Sequence, residues 1–304
     1  MIDLICMGEP MLELNQTAGQ PNYRAGHGGD TSNAAIAAAR QGARVAYLTA
    51  IGQDAGGASF LDLWRAEGIV TDHVVQDPVH PTAVYLVHHT ANGHDFQYYR
   101  QGSAASAYAP AHVPDDAVRG ARILYASGIS QGISNSAADA VFHAIDVARG
   151  AGVRVAYDTN YRPRLWPAAR ASAIIHAAIA QSSIALPGLE DAERLTGLSD
   201  PDAIADFYLR LGPSLVALKM GAAGTLLATP KERLRIAPFP CEPIDATGAG
   251  DTFCGAFLAR LIDGDDPADA AAYAACAAAL STTGYGAVPP IPRAEAVRAA
   301  MARA

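Results

Sequence analysis

Lysine is nearly absent. Only Lys219 and Lys231 occur among 304 residues, so arginine carries almost all of the positive charge. Any anion site must therefore draw on arginine and on backbone N–H groups. Charge of either sign is sparse, at 17% of residues, and acids exceed bases by enough to leave a net charge of −8. That balance excludes the basic face that a nucleic-acid partner requires. Cysteine is confined to Cys6, Cys241, Cys254 and Cys276, widely spaced and with no C-x-x-C pair. Such usage predicts reduced, mostly buried thiols in a cytoplasmic protein. No apolar run is long enough to span a bilayer, since the alanine-rich 268–280 is too short and too weakly apolar. The opening Met1–Gly8 carries Asp3 and no basic lead, which reads as a first buried strand and not as a signal peptide.

Hydrophobic residues, by contrast, fill 50% of the chain, ample for one α/β domain over 1–304. Short runs rich in Val, Ile, Leu and Ala predict buried strands at 2–8, 44–51, 121–126, 153–158, 183–186 and 214–219. Between them, segments such as 31–41, 56–67, 134–150 and 167–180 have helical spacing. Strands alternating with helices imply βαβ units and a mainly parallel sheet covered on both faces. Two stretches, 11–16 and 82–100, alternate polar and apolar residues with no helix following at once. They predict a small accessory sheet able to act as a lid, whose exposed edge suits lid-to-lid pairing in a homodimer. Farther on, 224–228 and 232–236 read as a hairpin ahead of helices at 249–262 and 267–281.

The most informative segment is Asp245-Ala246-Thr247-Gly248-Ala249-Gly250-Asp251-Thr252-Phe253, where a glycine turn opens directly into an apolar-periodic helix. Unpaired N–H groups and the positive dipole end make such a turn a site for a transferring phosphoryl group. A carboxylate at the same turn can take a proton from an attacking hydroxyl. The alternative reading makes Asp251 an N-cap and leaves the glycines merely to shape the turn.

The longer string D-A-T-G-A-G-D-T-F-x-G-A-F resembles the second signature of the ribokinase-like (pfkB) carbohydrate kinases. That resemblance implies a ribokinase-like α/β fold with a β-sheet lid, ATP and Mg²⁺ as cofactors, and Asp251 as the catalytic base. It places Gly248, Ala249 and Gly250 at the anion hole, and Asp245 and Thr247 near a monovalent-cation (K⁺) site. Gly26-His27-Gly28-Gly29-Asp30-Thr31-Ser32-Asn33 looks like the first signature, with Gly29, Asp30 and Asn33 facing the sugar. An ordinary β-to-α connection capped by Asp30 is the alternative there, and His27 either touches substrate or is structural. Gly52 and Asp54 fall where the family keeps architectural residues. Gly221-Ala222-Ala223-Gly224 is similar to the G-x-x-G nucleotide loop, with Lys219 near a phosphate, although a hairpin turn explains it equally well. The family's N-x-x-E metal motif is altered: Gly188 and Asp191 stand in those places, so Glu190 or Asp191 is expected to hold Mg²⁺ through water.

Two arginine strings bear on the acceptor. Tyr98-Tyr99-Arg100 closes the second lid stretch, and strand alternation sets Tyr98 and Arg100 on one face. A ring beside a guanidinium suits a small acid, the ring packing its carbon chain and the fork gripping its carboxylate. Asp158-Thr159-Asn160-Tyr161-Arg162 follows a buried strand, at the sheet end where α/β ligands gather. Both strings resemble those of the family's 2-keto-3-deoxygluconate kinases. By that resemblance Arg100 and Arg162 meet the acid end of a sugar acid, Tyr85 and Tyr98 line its chain, and Gly29 and Ile129 supply backbone or packing contacts. A fructokinase or other neutral-sugar or nucleoside kinase is the alternative on the same fold, and a non-catalytic sugar-binding regulator the alternative outside it. His88, His89 and His94 do not form a metal set, because no carboxylates or cysteines complete a ligand shell.

Overall fold

The computed structural model describes residues 1–16, 20–90 and 93–303, without the side chains of 89, 90, 93 and 94. The strands in chain order are β1 Leu4–Met7, β2 Met11–Gln16, β3 Tyr23–Gly28, β4 Val45–Leu48, β5 Ala50–Gly52, β6 Val75–Asp77 and β7 Ala83–Thr90. They continue as β8 Gly93–Tyr99, β9 Ile123–Ser127, β10 Arg154–Asp158, β11 Ile184–Ala185, β12 Leu215–Lys219, β13 Thr225–Ala228 and β14 Arg233–Ile236. The helices are α1 Asp30–Arg40, α2 Ala55–Ala66, α3 Asp115–Arg119, α4 Gly128–Gly132, α5 Asn135–Gly150 and α6 Ala168–Ile179. After them come α7 Leu189–Thr196, α8 Pro201–Leu211, α9 Ala249–Asp263, α10 Pro267–Ser281 and α11 Ala294–Met301.

One sheet runs β14-β13-β12-β11-β10-β9-β1-β4. Its six members from β12 to β4 are mutually parallel, and β13 and β14 extend it antiparallel. Both faces are buried, which is why these strands are apolar at successive positions. Leu4, Cys6, Tyr47, Tyr125, Ala156 and Ala217 pack with α1, α9 and α10 on one side. Their neighbours Ile5, Met7, Leu48, Leu124, Val155 and Val216 pack with α5, α6 and α8 on the other. A separate four-stranded sheet, β3-β2-β7-β8, is the expected accessory sheet.

Two expectations need correction. The run 44–51 is two strands: β4 stays in the main sheet, while β5 leaves it after Leu48 to pair with β6. The lid has a further strand, β3, in a stretch whose glycines disguise it. The hairpin expected at 224–228 and 232–236 is present as β13 and β14, and it widens the main sheet because β13 also pairs along β12. Among the described residues no helix is long and apolar enough to cross a membrane.

Candidate active site

The site lies beyond the carboxyl ends of the parallel strands, the position that open α/β sheets favour for ligands. Ser127, Asp158 and Lys219 are the last residues of β9, β10 and β12. Helices α1 and α9 deliver the remaining groups, and their close approach depends on Gly255. A Cβ there would stand 2.1 Å from the Ala34 carbonyl oxygen of α1, so only glycine allows the two helices this separation.

At that crossing Asn33 Nδ2 donates to Asp251 Oδ2 at 2.9 Å. Asp251 is the third residue of α9, whose N-cap is Gly248 in left-handed conformation at φ 76°. The capping alternative is thereby excluded, since Asp251 lies inside the first turn and is engaged by a side chain from another helix. Burial pushes its carboxyl up to about 7, with the Asp30 and Asp158 carboxylates adding to the rise and Asn33 and Lys219 opposing it. A base poised near neutrality is well matched to taking a hydroxyl proton. The N–H of Ala249 is donated to Ala246 O at 3.2 Å, so the anion hole would be formed by the next N–H groups of the turn.

Asp30 is likewise no cap: α1 starts after Gly29, with no side-chain cap bond. Its Oδ2 accepts from Ser127 Oγ at 2.5 Å and from Asn160 Nδ2 at 2.7 Å. Burial raises its carboxyl. Two acceptors, Asp30 Oδ1 and Asn33 Oδ1, are buried without a hydrogen-bond partner. Buried acceptors of this kind call for donors, and the hydroxyls of a polyol would supply them. Asn160 is the one non-glycine residue at positive φ among the described residues, at 26°. Its N–H donates to Asp158 Oδ1 at 3.2 Å, so a strained turn is stabilised by the same residues that line the site. Gly29, at φ 110°, runs against Glu9, where a Cβ would stand 2.4 Å from the carbonyl oxygen.

The accessory sheet contributes a second group of residues. Tyr85 is buried and donates to Glu13 Oε2 at 2.5 Å, leaving its ring toward Tyr98 with centroids 5.8 Å apart. Arg100 stacks its guanidinium 5.7 Å from the Tyr98 centroid and donates from Nη2 to Glu9. The other oxygen of Glu9 accepts from Ser103 Oγ at 2.7 Å. Burial raises the Glu9 carboxyl against the pull of Arg100. Arg100 Nε is buried with no partner. Arg162 is half exposed and bends back to its own chain, with Nη1 donating to Tyr161 O at 3.0 Å and lying 4.0 Å from Asp191 Oδ2. Ile129 is buried within α4.

The nucleotide-side residues divide into two groups. Gly221 and Gly224, at φ 56° and 86°, carry the chain from β12 into β13, and a Cβ on Gly224 would meet Ile236 O at 2.1 Å. The hairpin reading of this loop is thus geometrically true, and the loop also sits at the carboxyl end of β12. Lys219 turns inward: its Nζ bonds Asp158 Oδ2 at 2.6 Å and Cys254 Sγ at 3.2 Å. Asp245 Oδ1 accepts from Thr247 N and Oγ1 at 2.9 and 2.6 Å, and Oδ2 from Gly286 N at 2.9 Å. Asp245 and Thr247 thus clamp the glycine turn to the 282–286 loop.

For Mg²⁺, among the described residues no group of three His, Cys, Asp or Glu is placed to hold an ion. The two carboxylates that could hold Mg²⁺ through water, Glu190 and Asp191, both lie in the first turn of α7. Glu190 is exposed in the first turn of α7, whereas Asp191 Oδ2 accepts from Tyr161 N at 3.0 Å. Burial raises the Asp191 carboxyl.

Several residues prove architectural. His27 bonds Ser59 Oγ at 2.6 Å and sets its ring edge-on to Phe60, turned to α2 and not to the site. Asp54 caps α2 through Gly57 N at 2.8 Å and grips Thr82 N and Oγ1, both also at 2.8 Å. His88 Nδ1 meets Tyr23 OH at 3.3 Å, while the side chains of His89 and His94 lie outside the described residues. Sequence reasoning missed Glu9, Ser127 and Cys254. Glu9 and Ser127 carry a signal, for each stands at or just past the carboxyl end of a parallel strand.

A glycine-started helix with a near-neutral aspartate, next to unpartnered sugar-type acceptors, is what phosphoryl transfer to a hydroxyl requires. A model of the pfkB family carbohydrate kinases matches residues 1–294. The chain belongs to that family. As a pfkB member it is an ATP-dependent carbohydrate kinase with a ribokinase-like fold. It is 33% identical to the 2-dehydro-3-deoxygluconokinase of Thermoproteus tenax over 92% of this chain and 88% of that relative. Identity to fructokinase-2 of Solanum habrochaites is 29%, over 96% and 93%. Among solved structures, a PfkB protein from Polaromonas sp. JS666 superposes with a TM-score of 0.90 at 30% identity, covering 98% of this chain and all of that one. A putative ribokinase II from E. coli, in complex with ATP and Mg²⁺, reaches 0.92 at 22% identity over the full length of both.

Proposed function

We propose that this kinase phosphorylates a keto-deoxy sugar acid, 2-keto-3-deoxygluconate, at its terminal hydroxyl to give 2-keto-3-deoxy-6-phosphogluconate. One observation carries the acid over a neutral sugar: Arg100, stacked on Tyr98, keeps a buried Nε–H with no partner. A carboxylate is the acceptor that such a donor suits best. The similarity to a 2-dehydro-3-deoxygluconokinase supports the same choice.

In this reading Asp30 and Asn33 accept hydrogen bonds from acceptor hydroxyls and turn the terminal one toward Asp251. That hydroxyl oxygen forms the new bond to the γ-phosphorus, the bond to the β,γ-bridging oxygen breaks, and ADP leaves. The proton passes to Asp251, late in a loose transition state. First-turn N–H groups at Gly250 and beyond face the charge on the transferring phosphoryl group, and the Gly221–Gly224 loop receives the nucleotide. Asp191 and Glu190 would hold Mg²⁺ through water, and the ion would supply charge neutralisation at the phosphates. Closure of the β3-β2-β7-β8 sheet excludes water as a competing nucleophile. A homodimer that pairs the outer strands of two lids belongs to this proposal, with sedimentation as its check.

The test is ATP consumption over a panel of sugar acids, neutral ketoses and nucleosides, repeated on Arg100→Ala. The keto-deoxy acid should give the highest kcat/KM, and the substitution should raise its KM at least about tenfold more than that of fructose. Equal effects on both substrates, or a preference for fructose in the parent protein, would replace the acid with a neutral ketose.

A further inference from the structure

Lys219 is expected near a phosphate, yet its ammonium is committed elsewhere. Its Nζ meets Asp158 Oδ2 at 2.6 Å and Cys254 Sγ at 3.2 Å, and Cys254 Sγ in turn donates to Asp158 Oδ2 at 3.3 Å. The three side chains form a closed cluster under the first turn of α9. Asp158 has 3% of its side chain exposed and Lys219 15%, so water reaches the pair poorly. Cys254 stands one helical turn after Asp251 on the same face of α9. A Cβ on Gly250 would lie 3.9 Å from the Lys219 nitrogen, with that nitrogen as its one neighbour within contact range. The cation therefore stands directly behind the glycine turn, next to Gly250.

We propose that Lys219 is a positioning residue for phosphoryl transfer: fixed by Asp158 and Cys254, its buried ammonium biases Asp251 toward the proton-accepting carboxylate without itself binding phosphate. A charge set in poorly hydrated surroundings acts on its neighbours more strongly than one in water. The groups facing Asp251 come from every element around it. They are Asp30 and Asn33 of α1, Tyr85 of β7, Tyr125 of β9, Asp158 of β10, Lys219 of β12 and Cys254 of α9 itself. Asp30 and Asp158 disfavour a second negative charge at Asp251, and Lys219 opposes them. Asp158 therefore has two effects of opposite sense, holding the helpful cation in place while adding a repulsive charge of its own. This duality gives the proposal a signature that neither a phosphate ligand nor a mere packing residue shares.

The experiment is the pH profile of kcat/KM at saturating ATP and Mg²⁺, with 2-keto-3-deoxygluconate, or with fructose should that be the acceptor turned over. Parent, Lys219→Met, Asp158→Asn and the double variant are compared with one another, which cancels the titration of ATP itself. The acid limb should move up by about one pH unit in Lys219→Met, move down in Asp158→Asn, and return to within about half a unit of the parent in the double variant. The KM for ATP should change less than about threefold throughout. An ATP KM raised tenfold or more with the limb unmoved would make Lys219 a phosphate ligand and overturn the proposal. Activity lost equally at all pH values would reduce the cluster to structural support. Lys219→Met strands a buried carboxylate and can fail to fold. The double variant and Asp158→Asn, which differ only at residue 219, then decide: the limb should lie higher in the double variant, and equal limbs in the two defeat the idea.

Discussion

Asn33 and Asp251, 218 residues apart in sequence, meet at 2.9 Å through a hydrogen bond from the amide to the carboxylate. The bond favours the charged form of Asp251 and so holds down a carboxyl that burial drives up to about 7. Replacing Asn33 by Ala removes that restraint. The acid limb of kcat/KM should shift upward, and activity at pH 7 should fall about tenfold, more than at pH 9. A pH-rate series on the variant checks this, and a loss of equal size at both pH values would assign Asn33 to substrate contact alone.

The environment proposed to make Asp251 a base is one that opposes stability. Its carboxyl titrates near 3.8 in the unfolded chain and at about 7 in the folded one. A raised folded value means that stability is complete below about 4 and is lost as pH rises through 7. Asp251→Asn removes the buried charge, so it should cost turnover at least about a hundredfold. The variant should nevertheless be more stable than the parent above pH 7, by roughly 4 kcal/mol, with no difference near pH 4. Thermal unfolding of both proteins across that pH range measures the crossover. A parent more stable than the variant at pH 8 would contradict the assigned environment.

Gly255 carries the helix crossing on which this pair depends. A methyl group at that position would meet the Ala34 carbonyl oxygen at 2.1 Å and Ala37 Cβ at 2.8 Å. Backbone cannot yield as a flexible side chain does, so α1 and α9 must separate. Gly255→Ala should destabilise by about 2 kcal/mol despite the better helix propensity of alanine. It should also lower kcat more than it raises either KM, since Asn33 and Asp251 move apart together. Urea unfolding and steady-state kinetics are the two measurements. A stabilised, fully active variant would show that the helices have slack.

Much of this was legible in the sequence. Buried parallel strands carry apolar runs because both sheet faces are covered, so β1, β9, β10 and β12 stand where Val, Ile and Leu cluster. The GAGD turn announced its own geometry through Gly248 and the periodic helix behind it. What escaped was long-range pairing. Local spacing cannot tell that Lys219 bonds Asp158, nor that His27 faces Ser59. The strand β3 was hidden because glycine, which marks turns elsewhere, here makes room for Tyr85, whose hydroxyl would lie 2.6 Å from a Cβ on Gly28.

Glu9 complicates the simplest test of acid recognition. Its side chain is wholly buried, and Arg100 is its cationic partner. Arg100→Ala therefore removes the proposed substrate donor and also leaves a carboxylate stranded in the core. Breaking such a pair from one side should cost about 3 kcal/mol. Burial already raises the Glu9 carboxyl, and loss of the neighbouring cation raises it further. The destabilisation should thus be smallest at low pH, where Glu9 is protonated in both states, and grow as pH rises through its folded value. Glu9→Gln in combination with Arg100→Ala removes the stranded charge. The double variant should recover most of the lost stability while keeping the raised KM for the acid. Urea unfolding at pH 5 and pH 8, set beside KM for the keto-deoxy acid, separates the two roles. Recovery of KM together with stability would mean that Arg100 acts through the fold and not on the carboxylate.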